Sequence, residues 1–196
     1  MSKHSAQLAA LVGSRICHDL ISPVGAIGNG LELMRMGGGQ GPEMSLVNDS
    51  LANAQARIRF FRVAFGAAED GQTIGETELR GILGDLAGAA RQELRWQVAG
   101  DVARAEVRLV FLAIMCLENA LPFGGTITVT REGATWAVTG RSDKLLIDEK
   151  LWDALNRPGA DVAPSEVQFA LLPLLLDDIG ARPRTRIGPE EIAIRF

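Results

Sequence analysis

From about Ser5 to Met36 apolar residues recur every three or four positions. Leu8, Val12, Ile16, Leu20, Val24, Ile27, Leu31 and Met34 fall on one stripe of a single long helix when about 100° is allotted to each residue. A glycine-rich break, GGGQGPE, follows, and Pro42 suits the first turn of a second helix running from about Glu43 to Phe65. That helix carries its own stripe, Val47, Leu51, Ala54, Ile58, Phe61 and Phe65. Two long helices joined by so short a turn form an antiparallel hairpin. A hairpin cannot bury both stripes by itself, so the pattern predicts a homodimer in which two hairpins make a four-helix bundle.

The segment GAAEDGQT, small and polar, reads as a linker and divides the chain into a hairpin domain, 1–68, and a second domain, 69–196. From about Thr77 the periodicity returns as a helix in ELRGILGDLAGAAR, and again in the strongly apolar EVRLVFLAIMCLENAL. GGTITVTREGATWAVTG alternates with period two on either side of Glu132-Gly133, the signature of a β-hairpin. EVQFALLPLLLDDIGA is helical, with Pro173 expected to kink or break it, and RTRI and EEIAIRF read as closing strands. The fold class is α+β.

A formal net charge of −4 leaves no basic footprint for nucleic acid or anionic membrane and turns attention to protein partners. No run of 18 or more apolar residues occurs, and Ser14, Arg15, His18 and Asp19 interrupt the N-terminal segment, so neither a spanning helix nor a secretory signal is expected. The two cysteines, Cys17 and Cys116, lie far apart within apolar patterns, which suits a reduced, cytoplasmic protein without a disulfide framework or a zinc site.

Chemistry concentrates at His18. It projects nearly opposite the apolar stripe, among Ser14, Arg15, Ser22, Gly25 and Asn29, whose polar or small side chains leave the imidazole open to a large partner. An imidazole's ordinary pKa leaves much of it neutral and nucleophilic at cytoplasmic pH, a good phosphoryl acceptor. Asp19 is placed to hold the Nδ1 proton and direct reaction to Nε2. Arg15, one turn earlier, is a cation available to a partner's acidic site or to transferred phosphate, and Pro23 bends the helix just past the histidine. On the second helix Phe60 and Val63, flanked by Arg59 and Arg62, lie off the stripe as a docking surface or as a contact with the second domain.

CHDLISP with VGAIGNGLELM resembles the phosphoacceptor box of sensor histidine kinases, and together with ARIRFFRVAFGAA it resembles the alphaproteobacterial histidine phosphotransferases of the ChpT family. The resemblance implies that a kinase-like dimeric bundle takes phosphate from the receiver of a hybrid histidine kinase onto His18, beside Asp19. It then passes the phosphate to response-regulator receivers that control the cell cycle. Ser22 stands where such kinases carry Thr or Asn to position a hydrolytic water.

LAIMCLENALPFGGTITVT is similar to the helix and strand of a histidine kinase ATP-binding domain, with Asn119 aligned to the asparagine that holds Mg²⁺ there. Met115 replaces the companion asparagine, TGRSDKLLIDEK lacks the adenine-site glycines, and APSEVQFALLPLLL lacks a glycine-rich phosphate lid. The resemblance therefore implies a degenerate ATPase-like α/β sandwich that binds no ATP and holds no cofactor or metal, Mg²⁺ being supplied by the receiver. The alternative is a non-catalytic module that sequesters a kinase or response regulator, and such a module would tolerate loss of His18.

Overall fold

The computed structural model describes residues 3–37, 42–88 and 91–196. The predicted glycine-rich break spans 37–43, of which 38–41 lie outside the described residues. Helix α1 (Lys3–Gly37) and helix α2 (Pro42–Ala64) pack side by side, with Pro42 opening α2 as expected. Gly30 marks their closest approach, since a Cβ there would lie 2.5 Å from Cγ2 of Val47.

The second half is a two-layer α+β unit. Strand β1 (Thr73–Ile74) pairs with β3 (Val102–Ala103), and helix α3 (Glu76–Ala87) lies between them in sequence. A five-stranded sheet is ordered β2 (Gln92–Trp96), β4 (Gly125–Glu132), β5 (Thr135–Arg141), β7 (Glu191–Arg195), β6 (Arg184–Ile187). β2 is parallel to β4 and every other pair is antiparallel. The predicted hairpin is β4–β5, turned at Gly133, whose φ of 59° suits a residue without a Cβ. Burial alternates along both strands. Ile127, Val129, Trp136 and Val138 face inward, and threonines occupy the opposite face.

Helix α4 (Arg104–Ala120) fills the inner layer, and Val110, Phe111, Leu112, Ala113, Ile114, Cys116 and Leu117 are fully buried. Burial pushes the Cys116 thiol well up from its ordinary pKa, so this cysteine is chemically quiet. Short helix α5 (Glu149–Ala154) is capped by the Asp148 carboxylate. Of the kink or break expected at Pro173, the break does not occur: helix α6 (Val167–Asp178) runs through the proline, which is buried.

Three sequence readings change. Strand β2 was not anticipated: QELRW alternates on too short a span to stand out, and its pairing with β4 is a long-range event. The segment read as a linker ends in the sheet: its last residue, Thr73, opens β1 and pairs with Ala103 of β3. Phe60 and Val63 are not a docking surface, since both are buried. Phe60 stacks on Phe111 with ring centroids 4.4 Å apart, so these apolar residues join α2 to α4.

The apolar stripe of α1 also divides. Leu8, Val12 and Ile16 pack within the chain, Leu8 with Val167 and Ala170 of α6. Beyond His18, Ile21, Val24 and Leu31 are exposed, as are Met44, Leu51 and Ile58 of α2.

Candidate active site

His18 stands on α1 with 77% of its side chain exposed, as its helical position predicts. Its Nδ1 lies 3.1 Å from Oδ1 of Asp19. The Asp19 side chain is only 10% exposed, and its other oxygen accepts from Nε of Arg15 at 2.8 Å and lies 3.5 Å from a terminal nitrogen of Arg57. A carboxylate held by two guanidiniums on one side has a fixed orientation on the other. With Nδ1 carrying the proton toward that carboxylate, the free lone pair of the ring is on Nε2.

Arg15 is not the partner-facing cation that the helical wheel suggests. Its side chain is 15% exposed and turns inward, where it donates to Asp19, to the Ser165 carbonyl and, at 3.3 Å, to Oε1 of the buried Gln168. A long side chain one turn below its acid reaches that acid more readily than it reaches solvent, and α6 supplies the remaining acceptors. Helix α1 is thereby tied to the second half of the chain.

Ser22, Gly25 and Asn29 are exposed on the turns above His18, as expected, and with it form one outward face. Arg59 is half exposed and pairs with Asp85 of α3 at 2.7 Å, and Arg62 is exposed near the end of α2. These two arginines keep a solvent-facing position although the apolar residues between them do not.

Two participants escaped the sequence reading. Arg57, whose Nε donates to Asn53 at 2.9 Å, completes the Asp19 cluster from α2. Its signal was the run ARIRFF, in which the first arginine points to α1 and the next to α3. Glu118, near the end of α4, lines a cavity of about 350 Å³ with Arg15, Asp19, Arg57, Phe60 and Arg91. Burial raises its pKa to about 7, assisted by the Asp19 charge and opposed by Arg15 and Arg57. Nothing local in LENAL marks this glutamate, because its neighbours in the cavity come from elements far from it in sequence. Asn119, beside it, is exposed, whereas Met115 is buried.

Among the described residues no three histidine, cysteine or acidic side chains gather as a metal site. No described helix is long and apolar enough to cross a membrane.

Comparisons with known proteins converge on the chemistry this geometry suits. Residues 76–190 match the family model described as histidine phosphotransferase C-terminal domain. The chain is 40% identical over 193 residues to a curated relative, protein phosphotransferase ChpT of Brucella abortus (strain 2308), covering 94% of this chain and 92% of that one. A solved structure titled as a bacterial phosphotransferase superposes with a TM-score of 0.84 at 30% identity, covering 100% of this chain and 97% of the other. An exposed histidine backed by a fixed carboxylate thus sits in a chain that belongs to the ChpT family of histidine phosphotransferases, enzymes of phosphorelay signalling.

Proposed function

We propose that His18 is the phosphoacceptor and that the protein carries phosphate between receiver domains. The observation that carries this reading is the exposed imidazole whose Nδ1 is engaged by a nearly buried Asp19. In the forward step the Nε2 lone pair attacks the phosphorus of a hybrid kinase receiver's phosphoaspartate. The P–N bond forms as the acyl phosphate P–O bond breaks, returning a carboxylate to the receiver, and Asp19 stabilises the positive charge that the ring gains. The second step reverses these roles toward the aspartate of a response regulator, including regulators of the cell cycle. Neither step consumes a nucleotide. Mg²⁺ belongs to the receiver's acidic site, so this chain's contribution is positioning and charge compensation.

The face formed by Ser22, Gly25 and Asn29 is where a receiver seats, with Arg59 and Arg62 offering positive charge at its margin. The exposed apolar residues Ile21, Val24, Leu31, Met44, Leu51 and Ile58 support a homodimer in which residues 1–68 form the bundle. Residues 69–196 act as a docking platform without nucleotide, a degenerate relative of the kinase ATP-binding domain, and the protein works in the cytoplasm.

The test is transfer of radiolabelled phosphate from a phosphorylated hybrid-kinase receiver, with ATP alone as control. Acid-labile label is expected on the wild type, none on His18→Ala, and label slowed by about 10–100-fold on Asp19→Asn. An unlabelled wild type that still binds the receiver would instead identify a non-catalytic sequestering module.

A further inference from the structure

The cavity behind His18 holds two acids and three arginines, and the phosphoacceptor chemistry uses only one of the acids. From α1 come Arg15 and Asp19, from α2 Arg57, and from just before β2 Arg91, while α3 contributes the apolar Leu86. Glu118 lines this space from α4, in the field of the two guanidiniums that hold Asp19 but without a direct ion pair to either. Arg91 is spoken for in part by the Pro122 carbonyl, to which it donates at 3.1 Å. Arg15 and Arg57 are therefore the cations whose field both carboxyl groups feel.

We propose that Glu118 is a positioning residue for the phosphoacceptor: by drawing on Arg15 and Arg57 it sets how much of their charge Asp19 feels, and so how strongly Asp19 holds the His18 Nδ1 proton. This inference rests on His18 being the acceptor. With Glu118 neutral, both guanidiniums serve Asp19, and the carboxylate is a weaker acceptor toward the ring. With Glu118 ionised, part of that charge is taken up, Asp19 pulls harder on Nδ1–H, and Nε2 becomes the better nucleophile. Burial places this change of state close to neutral pH, within the working range of the imidazole. The second half of the chain thereby acts on the transfer step through a half-buried carboxyl group.

The test compares wild type with Glu118→Gln, which keeps the shape and removes the ionisation. His18 is phosphorylated with potassium phosphoramidate as well as with a phosphorylated receiver. The small donor needs no docking: Nε2 forms the new P–N bond while the donor's P–N bond breaks and ammonia leaves. Initial rates are taken from about pH 6 to about pH 8, and the glutamate side-chain carbons are followed by NMR over the same range.

The expected result is a variant deficit that grows at least about threefold from the lower to the higher pH with either donor. One glutamate carboxyl resonance should titrate near neutral pH in the wild type and be missing from the variant. Parallel rate profiles across the range would overturn the proposal, as would a Glu118 carbon that titrates with the ordinary glutamates. A wild type that takes no label from either donor has a different signature, and it would remove the phosphoacceptor reading itself and this inference with it.

Discussion

The inner layer of the second half and the far end of the hairpin are written in the same hydrophobic alphabet, yet they end in opposite environments. Leu112, Ile114, Phe169 and Leu172 are 0% exposed, whereas Ile21 is 72%, Val24 58% and Leu31 49% exposed. Helix α4 is apolar nearly all round because the sheet lies on one side and α2 and α6 on the other. Beyond His18, α1 has one covered face, toward α2, and a second apolar face that its own chain does not reach. One region closes its core within the chain. The other leaves an apolar face open, and the homodimer proposed above would cover it with the same face of a second copy.

The strongest way to break this contrast is Phe60→Ala, which removes a fully buried ring at the junction of the two regions. It should cost about 3–5 kcal/mol in urea unfolding. A loss near that of an exposed residue would show that the junction is not part of the closed core. Leu31→Glu places a charge on the open face. It should weaken self-association about a hundredfold in sedimentation equilibrium while circular dichroism stays unchanged. Unaltered association would mean that this face is not the seam. Gly30→Ala tests the hairpin's own contact, because the new methyl would meet Val47; about 1–3 kcal/mol should be lost, less if α2 can shift outward. Arg59→Ala is the small end of the scale. Its ion pair with Asp85 is about half exposed at both ends, so the change in stability should stay below about 1 kcal/mol and shrink in salt.

Long periodic elements were legible before the structure. The two hairpin helices, α3, α4 and the β4–β5 turn fall within a few residues of where pattern and punctuation place them. His18 and Asp19 were legible too, since a helical wheel with one open face suffices to separate them from the stripe. What the wheel could not show is which faces other elements cover. Phe60 and Val63 lie off the α2 stripe as read, but α4 approaches from that side. Arg15 sits on the right face, yet its length lets it fold back to Asp19 and Gln168. Arg57 and Glu118 join the site only through packing between elements far apart in sequence, and no local window contains that information.

Pro23 gives α1 a mechanical character of its own. Proline has no N–H, so the Asp19 carbonyl four residues earlier loses its usual helical donor, and the ladder is weakest one turn past the imidazole. A helix of 35 residues is a lever about 50 Å long. Its near arm is clamped to α6 by Arg15, and its far arm carries the open apolar residues. In the proposed dimer, a soft joint between the two arms would let the far arm tilt to fit its neighbour without levering the imidazole out of line.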